Sequence, residues 1–156
     1  MRRKVKNRNI VGPDARYNST KVSKFINYVM QGGKKSTAQD IVYSAFDIIK
    51  DKLKVEDPLE TFNMALQNAG PVTEVRSRRI GGATFQIPTE IRPKRKIAIG
   101  MKWLIRFARN RSGKGIADKL AAEFIAASKN EGAAIKRKEE VHRMAEANRA
   151  FAHYKA

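Results

Sequence analysis

Between Ile91 and Ala117 the sequence carries nine basic residues and no acidic one: Arg92, Lys94, Arg95, Lys96, Lys102, Arg106, Arg109, Arg111 and Lys114. A solvated helix face normally mixes both signs, so an uncompensated run of this length points to a surface that neutralises phosphates. A second cationic set, Arg76, Arg78 and Arg79, precedes Gly81 and Gly82. In an extended strand Arg76 and Arg78 share one face and Arg79 takes the other. The planar, multi-donor guanidinium suits phosphates and folded RNA, and a glycine pair at a ribbon tip allows close backbone approach to a ligand. Arg2, Arg3, Lys4, Lys6, Arg8 and Arg16 form a third cluster, opposed only by Asp14. It says less, because basic tails are common.

Catalytic chemistry finds no support. The chain has no cysteine, which removes disulfides, thiolate nucleophiles and Cys-containing zinc sites. Gly113 and Lys114 suggest a phosphate-binding loop, but Ala108 stands where its first glycine belongs and Gly115 where it needs Ser or Thr. His142 and His153 lack a carboxylate or hydroxyl pattern around them and read as surface helix residues. Glu139 and Glu140 are expected to pair with Lys136 and Arg143 at helical spacing. Trp103 and Phe107 could stack on bases, although the core is their default home.

The whole chain agrees with a polyanionic partner. Its 156 residues include 33 Lys plus Arg against 15 Asp plus Glu, a net charge of +18. Self-repulsion of that size opposes compaction unless a partner offsets it. A chain of this length buries roughly 70% of its unfolded surface, enough for one core, and the 42% hydrophobic content supplies it. The N-terminus lacks the apolar stretch of a signal peptide, and no run approaches the ~18 apolar residues of a membrane span. A soluble, intracellular protein is expected, with no cofactor, metal, membrane or small-molecule substrate.

Residues 1–19 read as an extended basic arm, broken by Gly12 and Pro13. Val22, Phe25, Ile26, Val29 and Met30 form the stripe of a first helix ending at Gly32 and Gly33. Ser36 and Gln39 match a capping box, and Ile41, Val42, Ala45, Ile48, Ile49 and Leu53 continue a second helix whose surface shows Asp40, Asp47 and Asp51. Asp57, Pro58 and Glu60 open a third helix, with Leu59, Phe62, Leu66 and Ala69 inward and Gly70–Pro71 as its end.

From 72 to 91 the period changes. Phe85, Ile87 and Ile91 alternate with polar residues around the Gly81–Gly82 turn, as in a β-hairpin. A lone ribbon is marginal in water, so its outer end is expected to need a partner. Pro93 starts a fourth helix with Ile97, Met101, Leu104, Ile105 and Ala108 inward. A fifth, with Ile116, Leu120, Phe124 and Ala127, runs toward Gly132. Residues 133–156 give a thinly apolar, solvent-facing final helix and an aromatic tail of Phe151, His153 and Tyr154. The fold is therefore expected to be mainly α: a single-domain bundle of about six helices with a β-hairpin arm between the third and fourth.

The stretches KFINYVMQGGKKSTAQDIVYSA, EVRSRRIGGATFQIPTEIRPKRK and EEVHRMAEANRAFAHY closely resemble the bacterial family of small-subunit ribosomal protein seven. The similarity runs from about Asp14 to Tyr154. The resemblance implies the same bundle and ribbon. It implies a cytoplasmic protein in the head of the small ribosomal subunit, a primary ribosomal-RNA binder of the three-prime major domain that nucleates head assembly. It further implies a place at the subunit interface near the exit-site transfer RNA, beside small-subunit proteins nine and eleven. Carried over, the ribosomal-RNA-facing groups are the arm, Lys34 and Lys35, the three ribbon arginines, Arg92 to Lys96 and the helix that follows. Gly81 and Gly82 with Arg143 and Arg149 match the family's transfer-RNA-facing surface. The chain departs from the pattern in two places: Lys155 and Ala156 replace a frequent Arg-Trp ending, and Gly100 replaces a common Ala.

Two other classes fit parts of the residue inventory. An architectural DNA-binding protein could lay the ribbon in a groove and the basic helix on the backbone. An RNA-processing enzyme would need an acid/base or metal cluster, which the sequence does not offer.

Overall fold

The computed structural model describes residues 10–113 and 115–154. The expected Arg2, Arg3, Lys4, Lys6, Arg8 and Lys114 contacts, and the Lys155–Ala156 ending, lie outside these residues. Six α-helices and one hairpin follow in order: α1 (Thr20–Val29), α2 (Lys35–Leu53), α3 (Pro58–Ala69), β1 (Thr73–Ile80), β2 (Ala83–Glu90), α4 (Pro93–Asn110), α5 (Ile116–Ser128) and α6 (Ala133–Ala147). A short 3-10 helix, Arg149–Tyr154, ends the described chain. The mainly helical architecture with a hairpin between the third and fourth helices is as expected.

The core is built on Phe25, Phe46, Phe62 and Phe124, one each from α1, α2, α3 and α5, all fully buried. Phe62 is their hub, with ring centroids 5.4 Å from each of the other three. Burial of each ring contributes about 2–3 kcal/mol, and each edge or tilted ring pair adds about 1 kcal/mol. Phe46 adds a ring that lies outside the expected stripe of α2. That helix buries Ala38, Val42, Ala45, Phe46 and Ile49, whereas Ile41, Ile48 and Leu53 flank this face and are only partly buried.

Local signals were kept where the backbone needed them. Asp57 accepts a hydrogen bond from the Leu59 amide at 2.8 Å and caps α3, with Pro58 in its first turn. The Ser36–Gln39 capping box does not form: α2 already begins at Lys35, so Ser36 is inside the helix and Lys34 sits at the cap without a side-chain bond. Gly132 does not end α5, which stops at Ser128; with φ +95° it is instead the residue from which α6 departs. Gly81 and Gly82, at φ +58° and +90°, make the two-residue turn that needs positive φ at both positions.

Two terminal segments differ from expectation because they find intramolecular partners. Residues after Pro13 do not extend away. Asp14 accepts from the amides of Arg16 and Tyr17, both at 3.1 Å, and from the Tyr43 hydroxyl at 2.8 Å. Arg16 pairs with Asp47 at 2.8 Å, so one acid of the second helix holds the arm's base. The final helix is not merely solvent-facing: Ala134, Ile135, Val141 and Ala145 are buried, and Lys138 donates to the Asn68 carbonyl at 2.7 Å. The ribbon's outer end is likewise supported from within. Phe85 lies 5.5 Å from Phe151 and 5.4 Å from Tyr154, so the aromatic tail covers it.

Candidate nucleic-acid interface

The acid-free run folds into one long helix whose two sides have opposite character. Gly100, Met101, Leu104, Ile105 and Ala108 of α4 are buried, whereas Arg95, Lys102, Arg106 and Arg109 are exposed. Those four stand at i, i+7, i+11 and i+14, which at 3.6 residues per turn is a single stripe. It spans about 21 Å at 1.5 Å per residue. Arg92 at the helix cap and Lys94 are exposed beside it, and Lys96 is half-buried. Gly100 has a packing role. A Cβ there would stand 3.3 Å from the Leu66 carbonyl oxygen and 3.5 Å from the Gly70 nitrogen, so its absence lets α4 approach the end of α3.

Both ends of the stripe are fastened. At the start, Arg95 makes bonds of 2.9–3.2 Å to Glu74 of β1, and Arg76 reaches the same carboxylate at 2.6 Å. Burial opposes ionisation of Glu74, but hydrogen bonds from Arg95 and Arg76 hold its carboxyl below the usual range. One carboxylate between two guanidiniums positions the ribbon root against α4 and leaves a net positive charge. At the other end, Arg109 donates to the Val29 carbonyl at 3.2 Å, a cation on the C-terminus of α1. The turn after α1 and the first residue of α2 present Lys34 and Lys35, both exposed, at that end.

The ribbon distributes its arginines by register. Arg76 faces Ile87 and Arg78 faces Phe85, whereas Arg79 faces Thr84 on the opposite side. All three are exposed. Arg78 is nevertheless engaged, donating to the Tyr154 carbonyl at 3.4 Å beside the aromatic cluster. The tip glycines are open, with no atom within 4 Å of a Cβ added at either. Arg143 is exposed on α6, and Arg149 starts the 3-10 helix, paired with Glu146 at 3.2 Å. From His142, at the ribbon root, to Tyr154, beside Phe85, the C-terminal segment follows the ribbon outward.

One residue of the run turns inward. Arg111 Nε donates to Glu123 at 2.5 Å, and Glu123, wholly buried, also accepts from the Ala134 amide at 3.1 Å. This pair joins the end of α4, the middle of α5 and the start of α6, so Arg111 serves the scaffold. Nothing near position 123 in sequence marks it as a buried acid. One expected pairing keeps helical spacing but changes partner: Glu140 takes Arg137, three residues before it, at 2.6 Å and not Lys136 or Arg143. His142 is more than a surface residue. Its Nε2 accepts from the Val72 amide at 3.0 Å, and burial followed by the charges of Lys138 and Lys96 lowers its pKa. Trp103 and Phe107 pack, partly buried, against the core.

Sequence reading also missed Lys21 and Lys24, which α1 presents toward α4 along a groove shared with Lys94. Their spacing at i and i+3 on the polar side of α1 was the available signal. Among the described residues no helix is long and apolar enough to cross a membrane, and no group of three or more His, Asp or Glu could hold a metal ion.

A family model described as ribosomal protein S7p/S5e matches residues 1–149. The chain belongs to this family of ribosomal proteins. It is similar to the small ribosomal subunit protein uS7 of Thermoanaerobacter sp. (strain X514), 59% identical over 143 residues, 92% of this chain and 91% of that one. The protein of the same name from Hahella chejuensis (strain KCTC 2396) is 52% identical over 154 residues, covering 99% and 98% of the two chains. Members of this family are structural and not enzymes, in agreement with the absence of catalytic patterning in the sequence.

Proposed function

We propose that the protein is a small-subunit ribosomal protein that binds ribosomal RNA through the α4 stripe, the ribbon root and the α1–α2 turn. The observation that carries this reading is the α4 stripe itself. Arg95, Lys102, Arg106 and Arg109 lie opposite the buried face of one rigid helix, and both of its ends are tied to further cationic elements. Lys34, Lys35, Arg76, Arg92, Lys94 and Lys96 border the stripe, Arg79 adds its charge from near the ribbon tip, and the N-terminal cations and Lys114 add charge. Arg78 takes part from the ribbon, while Arg111 acts by holding the helices in place.

The RNA in this reading is the three-prime major domain, whose compaction into the subunit head the protein nucleates. Ribbon tip and C-terminal segment form a second surface, with Gly81, Gly82, Arg143 and Arg149 toward the exit-site transfer RNA. Small-subunit proteins nine and eleven are the proposed neighbours. The intramolecular support of the ribbon favours this division: Phe85 and Tyr154 hold the arm in a defined direction before any RNA arrives.

Competition between a folded three-prime major domain fragment and duplex DNA of equal charge tests the reading. Preference for the RNA at moderate salt is expected. Equal affinity, or preference for the duplex, would contradict it and favour a DNA-bending role.

A further inference from the structure

We propose that the groove between α1 and α4 holds one unpaired nucleotide of the bound RNA, with its base on the apolar floor and its phosphates on the lysine rim. This rests on the RNA-binding reading and goes beyond it, because a phosphate stripe alone grips backbone and makes no use of a base.

The groove has a volume of about 400 Å³, inside the roughly 300–1,000 Å³ range of sites that take small flat ligands. Its floor is Val11, Ile97, Ala98 and Met101, and its wall is the ring of Tyr28, 39% exposed although aromatic. Lys21, Lys24 and Lys94 stand at the rim, and no acidic side chain lines the groove. Lys21 is held by Asn63 Oδ1 at 3.0 Å. Lys24 and Lys94 have no carboxylate partner among the described residues.

The chemistry of the occupant follows. An apolar slot whose charged lining residues are all cations suits a ligand with a flat, weakly polar body on an anionic backbone. A nucleotide has that form, whereas an apolar peptide would leave the ammonium groups unmatched. Tyr28 offers a ring at the wall, and Lys102 lies 5.8 Å from its centroid, so that ring is already polarised by a cation. Asn27, also lining the groove, carries both a donor and an acceptor for a base edge. Lys21, Lys24 and Tyr28 stand at i, i+3 and i+7 on α1, and Lys94, Ala98 and Met101 at i, i+4 and i+7 on α4. Two helices therefore present these groups on rigid supports.

Fluorescence anisotropy of the full chain tests the groove with two RNA hexamers of equal charge, one of adenosine and one wholly abasic. Stacking of one base is worth about tenfold in affinity, so the wild-type chain should favour the adenosine hexamer by about that factor. Ala98→Phe, which fills the slot, and Tyr28→Ala, which removes its wall, should each abolish most of that preference while leaving abasic binding unchanged. Tyr28 is exposed, so its variant carries the test even where Ala98→Phe does not fold. Equal binding of the two hexamers by the wild-type chain, or full preference in the Tyr28→Ala variant, overturns the groove. In either case a retained affinity for the folded ribosomal fragment leaves the broader RNA reading standing. Failure of the wild-type chain to bind any RNA overturns both.

Discussion

Arg111, one of the nine cations that mark the basic run, gives its guanidinium to Glu123, a carboxylate that is wholly buried. The run therefore contains two kinds of basic residue. Those on the exposed side of α4 face solvent where a polyanion can reach them, even though Arg95 also holds Glu74 and Arg109 the Val29 carbonyl, and the one at its end turns inward to tie three helices together.

Arg111→Ala separates these roles. Removal of one partner of a buried ion pair leaves the other charge uncompensated, and the low end of the usual range, about 3 kcal/mol, applies because the Arg111 side chain is 35% exposed. Urea unfolding should show that loss, while RNA affinity of the folded fraction changes little. Arg106→Ala should do the reverse. A variant of Arg111 that unfolds like the wild type would contradict the structural assignment.

Gly132 stands against the same pair. Its φ is +95°, and a Cβ there would lie 3.2 Å from the Ala126 Cβ and 3.3 Å from Glu123 Oε1. Backbone strain and crowding act together, so Gly132→Ala should destabilise by about 1–3 kcal/mol in urea titration. Gly12, with no atom within 4 Å of an added Cβ and no positive φ, is the control and should tolerate Ala without loss.

His142 gives the ribbon root a pH dependence. Its neutral ring accepts from Val72, and a protonated ring has no acceptor to offer. Burial, then Lys138 and Lys96, lower its pKa in the folded chain, so the unfolded chain binds the proton more readily. The contribution to stability is complete above about pH 6.5 and is lost as pH falls through the folded-state value. Urea midpoints of the wild type should fall between about pH 7 and pH 5.5, and His142→Leu should show a smaller fall over that window. Identical slopes for the two proteins would remove His142 from the account.

These contacts show which parts of the molecule were legible in the sequence. Helix α4 was clear because two independent patterns coincide there: Met101, Leu104, Ile105 and Ala108 repeat with helical period, and the cations fall between them. The ribbon was legible because alternation meets a glycine pair that permits two positive φ angles in succession. What could not be read is the choice of distant partners. Glu74 lies 21 residues from Arg95 and Glu123 lies 12 from Arg111, separations at which only the packed fold decides which acid meets which base. The same reason hid the docking of Tyr154 on Phe85 and the insertion of Phe46 among the other three core phenylalanines. Ser36 failed as a cap because Gly32 and Gly33 complete their turn early and let α2 begin at Lys35, ahead of it.

The central claim is that the exposed stripe of α4 neutralises RNA phosphates, and its most direct test is the salt dependence of binding to a folded ribosomal RNA fragment. Log affinity should fall linearly with log salt, and each lost phosphate contact should reduce the slope by about 0.7–0.9. Lys102→Ala combined with Arg106→Ala should therefore flatten the slope by about 1.5 relative to the wild-type chain. An unchanged slope in the double variant, or a wild-type affinity indifferent to salt, would contradict the account.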